Sequence, residues 1–136
     1  MRRLSLAWAF ALVAISCPAF GCETSVINTS LEKLQSLFAQ MRDEGHFNVS
    51  GPLAWDFYFL DPDQNKLAAF AQKLQAQGFR VIGIGPGQGT FQLTVERFEV
   101  QTPESLLQLS KDMGVLALKD CVAHYDGFDA GPNPSP

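Results

Sequence analysis

Two short stretches of this chain, Leu60-Asp61-Pro62 and Gln101-Thr102-Pro103, punctuate it in the same way: each stops an alternating run and opens a helical one. Asp or Thr followed by proline suits a helix start, because the side-chain oxygen caps free N–H groups and proline brings none of its own. Before the first stretch, Leu53 to Leu60 (LAWDFYFL) sets Trp55, Phe57 and Phe59 against Ala54, Asp56 and Tyr58, the period of two of a strand. After it, Leu67, Phe70, Ala71 and Leu74 recur at helical spacing as far as Gly78, and Phe79 to Ile84 (FRVIGI) reads as a second strand. The order then repeats. Thr90 to Val100 alternates Phe91, Leu93 and Val95 with Gln92, Thr94 and Glu96. Leu106, Leu109, Met113 and Leu116 follow in a helix expected to reach Cys121, with Gly114 as a point of kinking or breakage. Val122 to Phe128 supplies a last strand. Two β-α-β units joined by a hairpin describe an α+β fold, the ferredoxin-like split βαβ sandwich (βαββαβ), with helices on one face of an antiparallel sheet. An additional N-terminal helix is expected from Ser30 to Asp43, where Thr29 and Glu32 have capping-box spacing and Leu31, Leu34, Leu37, Phe38 and Met41 share a face.

The first 21 residues belong to a different class of segment. Arg2 and Arg3 precede an apolar run from Leu4 to Ile15, and Ala19-Phe20-Gly21 places small residues where a signal peptidase would cut before Cys22. The run is shorter than the roughly 20 residues of a spanning helix. Residues 1–21 therefore read as a signal peptide and the protein as exported, to the periplasm or to the membrane as a lipoprotein. Three fates are open to Cys22: lipidation, since Ala-Phe-Gly-Cys is similar to a lipoprotein box, a disulfide with Cys121 in an oxidising compartment, or a free thiol. Membrane association is expected only through that lipid.

Removal of residues 1–21 leaves 115 of 136 residues, enough for one small core, and lowers the net charge from −4 to −6 because Arg2 and Arg3 depart with no acid. An acidic domain is poorly matched to phosphate backbones, which argues against a nucleic-acid partner. The domain is expected over residues 22–130, followed by a proline-rich flexible tail over 131–136.

The segment WDFYFLDPDQNKLAAFAQKLQAQGFRV, the strand FQLTVERFEV, the Thr-Pro-Glu helix and the closing HYDGF together resemble the RraB family, regulators of ribonuclease E activity. The likeness spans roughly residues 30 to 130 and includes the family's terminal Tyr-Asp-Gly-Trp signature, here Tyr125, Asp126 and Gly127 with Phe128 in place of tryptophan. It implies a non-enzymatic, inhibitor-type regulator that acts by binding another protein. In its best-known members that protein is cytoplasmic ribonuclease E, which an exported chain would not meet. The expected partner is therefore an envelope protein or enzyme, with the cytoplasmic ribonuclease role as the alternative if the leader is unused.

Candidate chemistry is sparse. Gly83 to Gly89 is glycine-rich, but a strand follows it and no P-loop lysine is present, so it reads as hairpin punctuation. Cys121 and His124, with Asp126 nearby, invite a reading as a small periplasmic enzyme or ligand carrier. Two cysteines and two histidines in the mature chain, dispersed as they are, do not make a metal or nucleophile site. No catalytic residue, metal or cofactor is expected. Asp61 and Asp63 are assigned to the start of a helix. The candidate docking surface comprises Asp56, Tyr58 and Arg80 on the open face of the sheet and Tyr125, Asp126, Gly127 and Phe128 at its closing strand. Tyr125 and Phe128 also suit packing, and Asp126-Gly127 suits a backbone bend.

Overall fold

The computed structural model describes residues 22–136, so the leader expected over residues 1–21 lies outside the described residues. The chain forms three helices and a five-stranded sheet. The elements are β1 (Ser25–Val26), α1 (Leu31–Asp43), β2 (Leu53–Asp61), α2 (Gln64–Ala76), β3 (Arg80–Pro86), β4 (Phe91–Glu99), α3 (Pro103–Lys119) and β5 (His124–Gly131). The sheet order is β1-β5-β2-β4-β3. β2 is antiparallel to both β4 and β5, β3 is antiparallel to β4, and β1 is parallel to β5. Each long crossover, β2-α2-β3 and β4-α3-β5, thus brackets a strand of the other unit.

Helix starts follow from caps one or two residues from where the sequence pattern places them. Ser30 caps α1 by accepting from Lys33 N at 3.2 Å, in place of Thr29. Asp63, in place of Asp61, caps α2 by accepting from Asn65 N and Lys66 N. Asp61 remains in β2, paired with Phe91. Its buried carboxylate accepts from Asp63 N at 2.7 Å and Ala123 N at 2.8 Å and lies 3.3 Å from Lys66 Nζ. It therefore ties the end of β2 to the approach of β5 through two backbone donors. Thr102 caps α3 as expected, with Pro103 at the first helical position, and Ser105 makes that cap reciprocal.

α3 passes through Gly114 without a break. The absent side chain leaves room for β1, since a Cβ there would lie 2.8 Å from Val26 Cγ1. The helix ends at Lys119 and not at Cys121. Cys121 has φ 58°, a left-handed conformation usually reserved for glycine, and Val122 N donates back to Ala117 O at 2.9 Å. An L side chain in that conformation costs roughly 1–2 kcal/mol. Cys121 is held there by a disulfide to Cys22 that closes 99 residues of sequence. The chain ahead of β1 is thereby fastened to the end of α3.

The core lies between the sheet and the helices. β2 contributes Trp55, Phe57 and Phe59, β4 contributes Leu93 and Val95, and the helices contribute Leu34, Phe38, Leu67, Phe70, Leu74, Leu106 and Met113. Phe59 meets Phe70 edge-on with ring centroids 4.9 Å apart, a favourable aromatic geometry.

Candidate functional site

Strand alternation turns Asp56 and Tyr58 away from the helices, onto the open face of the sheet. The register then sets their neighbours. Asp56 lies opposite Glu96 of β4 and opposite Asp129 of β5, Tyr58 lies opposite Thr94 and Gly127, and Glu96 lies opposite Arg80 of β3. Three carboxylates in a row across adjacent strands repel one another, and this face carries only one cation among them.

The tail, expected to fray, supplies the missing donors. β5 ends at Gly131 beside Ala54, and residues 132–136 cross the open face from there. Ser135 N donates to both oxygens of Glu96 at 3.0 and 3.1 Å, and Ser135 Oγ donates to Oε2 at 2.7 Å. Arg80 Nη1 bridges Glu96 at 3.2 Å and Ser135 O, and Nη2 reaches Pro136 O at 3.0 Å. Glu96 is consequently only 3% exposed, although it faces away from the helices.

These contacts divide the protons unequally. Burial pushes the Asp56 carboxyl up to about 7, reinforced by the proton it shares with Glu96 and by the charges of Glu96 and Asp129. Burial opposes ionisation of Glu96 as well, yet the bonds from Ser135 and Asp56 and the Arg80 charge outweigh it and hold that carboxyl below its ordinary value. Of the two carboxyls, Asp56 therefore holds its proton to the higher pH. Tyr58 is raised by burial and then by Asp56, Asp129 and Glu96.

The residues expected at the closing strand separate. Tyr125 is not a docking residue: it is fully buried, its ring lies 5.2 Å from Phe59, and its hydroxyl is 2.9 Å from Ser110 Oγ. Phe128 also turns toward the core, against Trp55 and Phe57. Asp126 is the extra residue of a bulge, because Tyr58 pairs with Gly127 whereas Phe59 pairs with Tyr125. Gly127 takes φ 97° there, so the bend expected of Asp126-Gly127 is present. Asp126 itself accepts from His124 Nε2 at 3.0 Å, and His124 Nδ1 faces Ser25 O at 3.1 Å. Cys121 has no free thiol for a partnership with His124, because its sulfur is bonded to Cys22. Among the described residues, no cluster of three or more His, Cys, Asp or Glu is arranged to hold a metal ion.

The sequence pattern puts Asp56, Tyr58, Arg80 and Glu96 on one face, although Glu96 is not among the expected docking residues, and it does not reveal Asp129 and Ser135 as further members. The alternation that exposes Asp56 also exposes Glu96. The signal for Ser135 is subtler: Pro132, Pro134 and Pro136 have no N–H, so Asn133 and Ser135 carry the only backbone donors of that stretch.

Comparison with known proteins gives one match. The family model described as "Regulator of ribonuclease activity B" (RraB) covers residues 31–130. No curated protein and no solved structure matches the chain.

Proposed function

The chain belongs to the RraB family, and from that premise we propose that it acts as a regulator by docking on another protein through the open face of a ferredoxin-like βαββαβ frame, with no chemistry of its own. The observation that carries this reading is the face itself. Helices cover one side of the sheet, while Asp56, Tyr58, Arg80 and Asp129 stand on the other without a helix above them. Charged and aromatic groups fixed on a rigid sheet are the usual material of a specific protein contact.

The site of action proposed is the cell envelope. Two features support it: the leader-like composition of residues 1–21 and the Cys22–Cys121 disulfide, which suits an oxidising compartment. A disulfide and a lipid cannot occupy the same sulfur, so this bond favours the periplasmic form over one lipidated at Cys22 and anchored in the membrane. The intact mass of native protein separates these forms. An oxidised chain beginning at Cys22 supports the periplasmic reading, an added lipid supports the anchored one, and an unprocessed Met1 overturns export.

The family's description favours a second reading, regulation of a ribonuclease, which in the cytoplasm would require an unused leader. Affinity capture on native protein, with each captured protein identified, distinguishes the partners. Capture of one stoichiometric envelope protein, lost with Tyr58→Ala while the fold is retained, is expected. Capture of a ribonuclease would instead favour the second reading. Retention of the partner by the Tyr58→Ala, Asp56→Arg double variant would remove the open face from the proposal.

A further inference from the structure

The tail is the one segment of the described chain whose binding to the open face can be read atom by atom. From β5 to β4 is two strand spacings, roughly 10 Å, and the four residues 132–135 can span about 13 Å when extended. The chain bends at residues 132–133 as it leaves β5, and the tail then reaches Glu96 with little slack. Proline at 132, 134 and 136 fixes φ at those positions and biases Asn133 and Ser135 toward extended conformations. Such a segment is already close to polyproline II before it binds and loses little entropy on docking.

The groups that receive it are complementary to a serine between prolines. A buried carboxylate accepts both the N–H and the hydroxyl of Ser135, and one guanidinium donates to the backbone oxygens of Ser135 and Pro136. Glu96 is more than nine-tenths buried and held by Arg80. A carboxylate so placed requires donors from any occupant, since a buried charge left without them keeps its full desolvation penalty. A proline at the serine position would supply neither donor.

We infer that the Glu96–Arg80 site on the open sheet face binds an extended Pro-Ser-Pro segment, that residues 134–136 fill it in cis, and that a partner segment of the same chemistry engages the protein by displacing them. The inference rests on reading the open face as a docking surface and adds the recognised chemistry. Because the tail is tethered within a few residues of its site, its effective concentration is of millimolar order, and a partner must compete against that.

The test uses the full chain, as wild type and as Ser135→Pro, whose change lies in the tail and removes both donors. The probe is the acetylated peptide Pro-Asn-Pro-Ser-Pro, followed by nuclear magnetic resonance at Tyr58, Arg80 and Glu96. The Ser135→Pro protein should show these three signals moved from their wild-type positions. The peptide should return them with a Kd of about 0.1 mM, and against a tail of about millimolar effective concentration should bind wild type about tenfold more weakly. A peptide with proline in place of serine should do nothing. Unmoved signals in Ser135→Pro, no response to peptide up to about 10 mM, or equal binding to the two proteins would each overturn the inference. Peptide binding does not depend on the captured partner, so this result and the capture experiment fail separately.

Discussion

The two faces of the sheet are built from the same strands and obey different rules. On β2, Trp55, Phe57 and Phe59 enter the core, while Asp56 and Tyr58, their immediate neighbours in sequence, look the other way. The covered face is held by area and shape, as Phe57 shows by meeting Phe79 and Phe128 at once. The open face is held by particular atoms, as Glu96 shows by accepting three bonds from a single serine. Stability therefore resides mainly on one side and the proposed recognition on the other, separated by one residue of register.

Phe57→Ala against Tyr58→Ala is the strongest way to break that division. Truncating a fully buried phenylalanine loses the transferred surface and leaves a cavity, so Phe57→Ala should cost about 3–5 kcal/mol in urea unfolding. Tyr58 is half-buried and leaves no enclosed void, so its truncation should cost about 1 kcal/mol. Equal costs would mean that the open face is as structural as the core.

Reduction of the disulfide sharpens the same contrast from the other end. The bond closes 99 residues and ties the chain ahead of β1 to the end of α3, so its loss should lower stability by about 2–4 kcal/mol. A Cys22→Ser, Cys121→Ser double variant should match the reduced protein in midpoint. It should leave the signals of Tyr58 and Ser135 in place, because neither cysteine reaches the open face. A shift of those signals on reduction would show that the faces are coupled through the sheet.

How much of this was legible in the residues follows from how local each signal is. Alternation in LAWDFYFL and FQLTVERFEV is carried by the strands themselves, and both strands form where the period places them. The cap at Asp61 was displaced because two aspartates flank Pro62 and both satisfy the local rule. What decides between them is Ala123, far along the chain, whose N–H requires the Asp61 carboxylate. β1 escaped notice because two residues cannot display a period, and its place is set by pairing with β5. Tyr125 was offered as both packing and docking. The bulge at Asp126 decides the matter by resetting which side chains face inward. The tail reads as coil from its prolines, and only the distant Glu96 and Arg80 make it a ligand.

The smallest expected effect is the most specific to the open face. Asp56 keeps its proton to a pH of about 7 in the folded protein, against an ordinary value of 3.8, with burial as the main cause and the neighbouring carboxylates next. A carboxyl raised on folding contributes stability that is full below pH 4 and lost as pH climbs through 7. Because Asp56 is only half-buried, solvent screening reduces that contribution to about 1 kcal/mol. Asp56→Asn fixes the neutral form, so the variant should gain about 1 kcal/mol on wild type between pH 5 and pH 8. Urea midpoints for both proteins at the two pH values measure that difference and cancel groups they share. A constant gap would mean that Asp56 releases its proton freely and that the carboxylate row is open to water. A gap that widens with pH and disappears in Glu96→Gln would assign the retained proton to the Asp56–Glu96 pair, the same pair on which the tail sits.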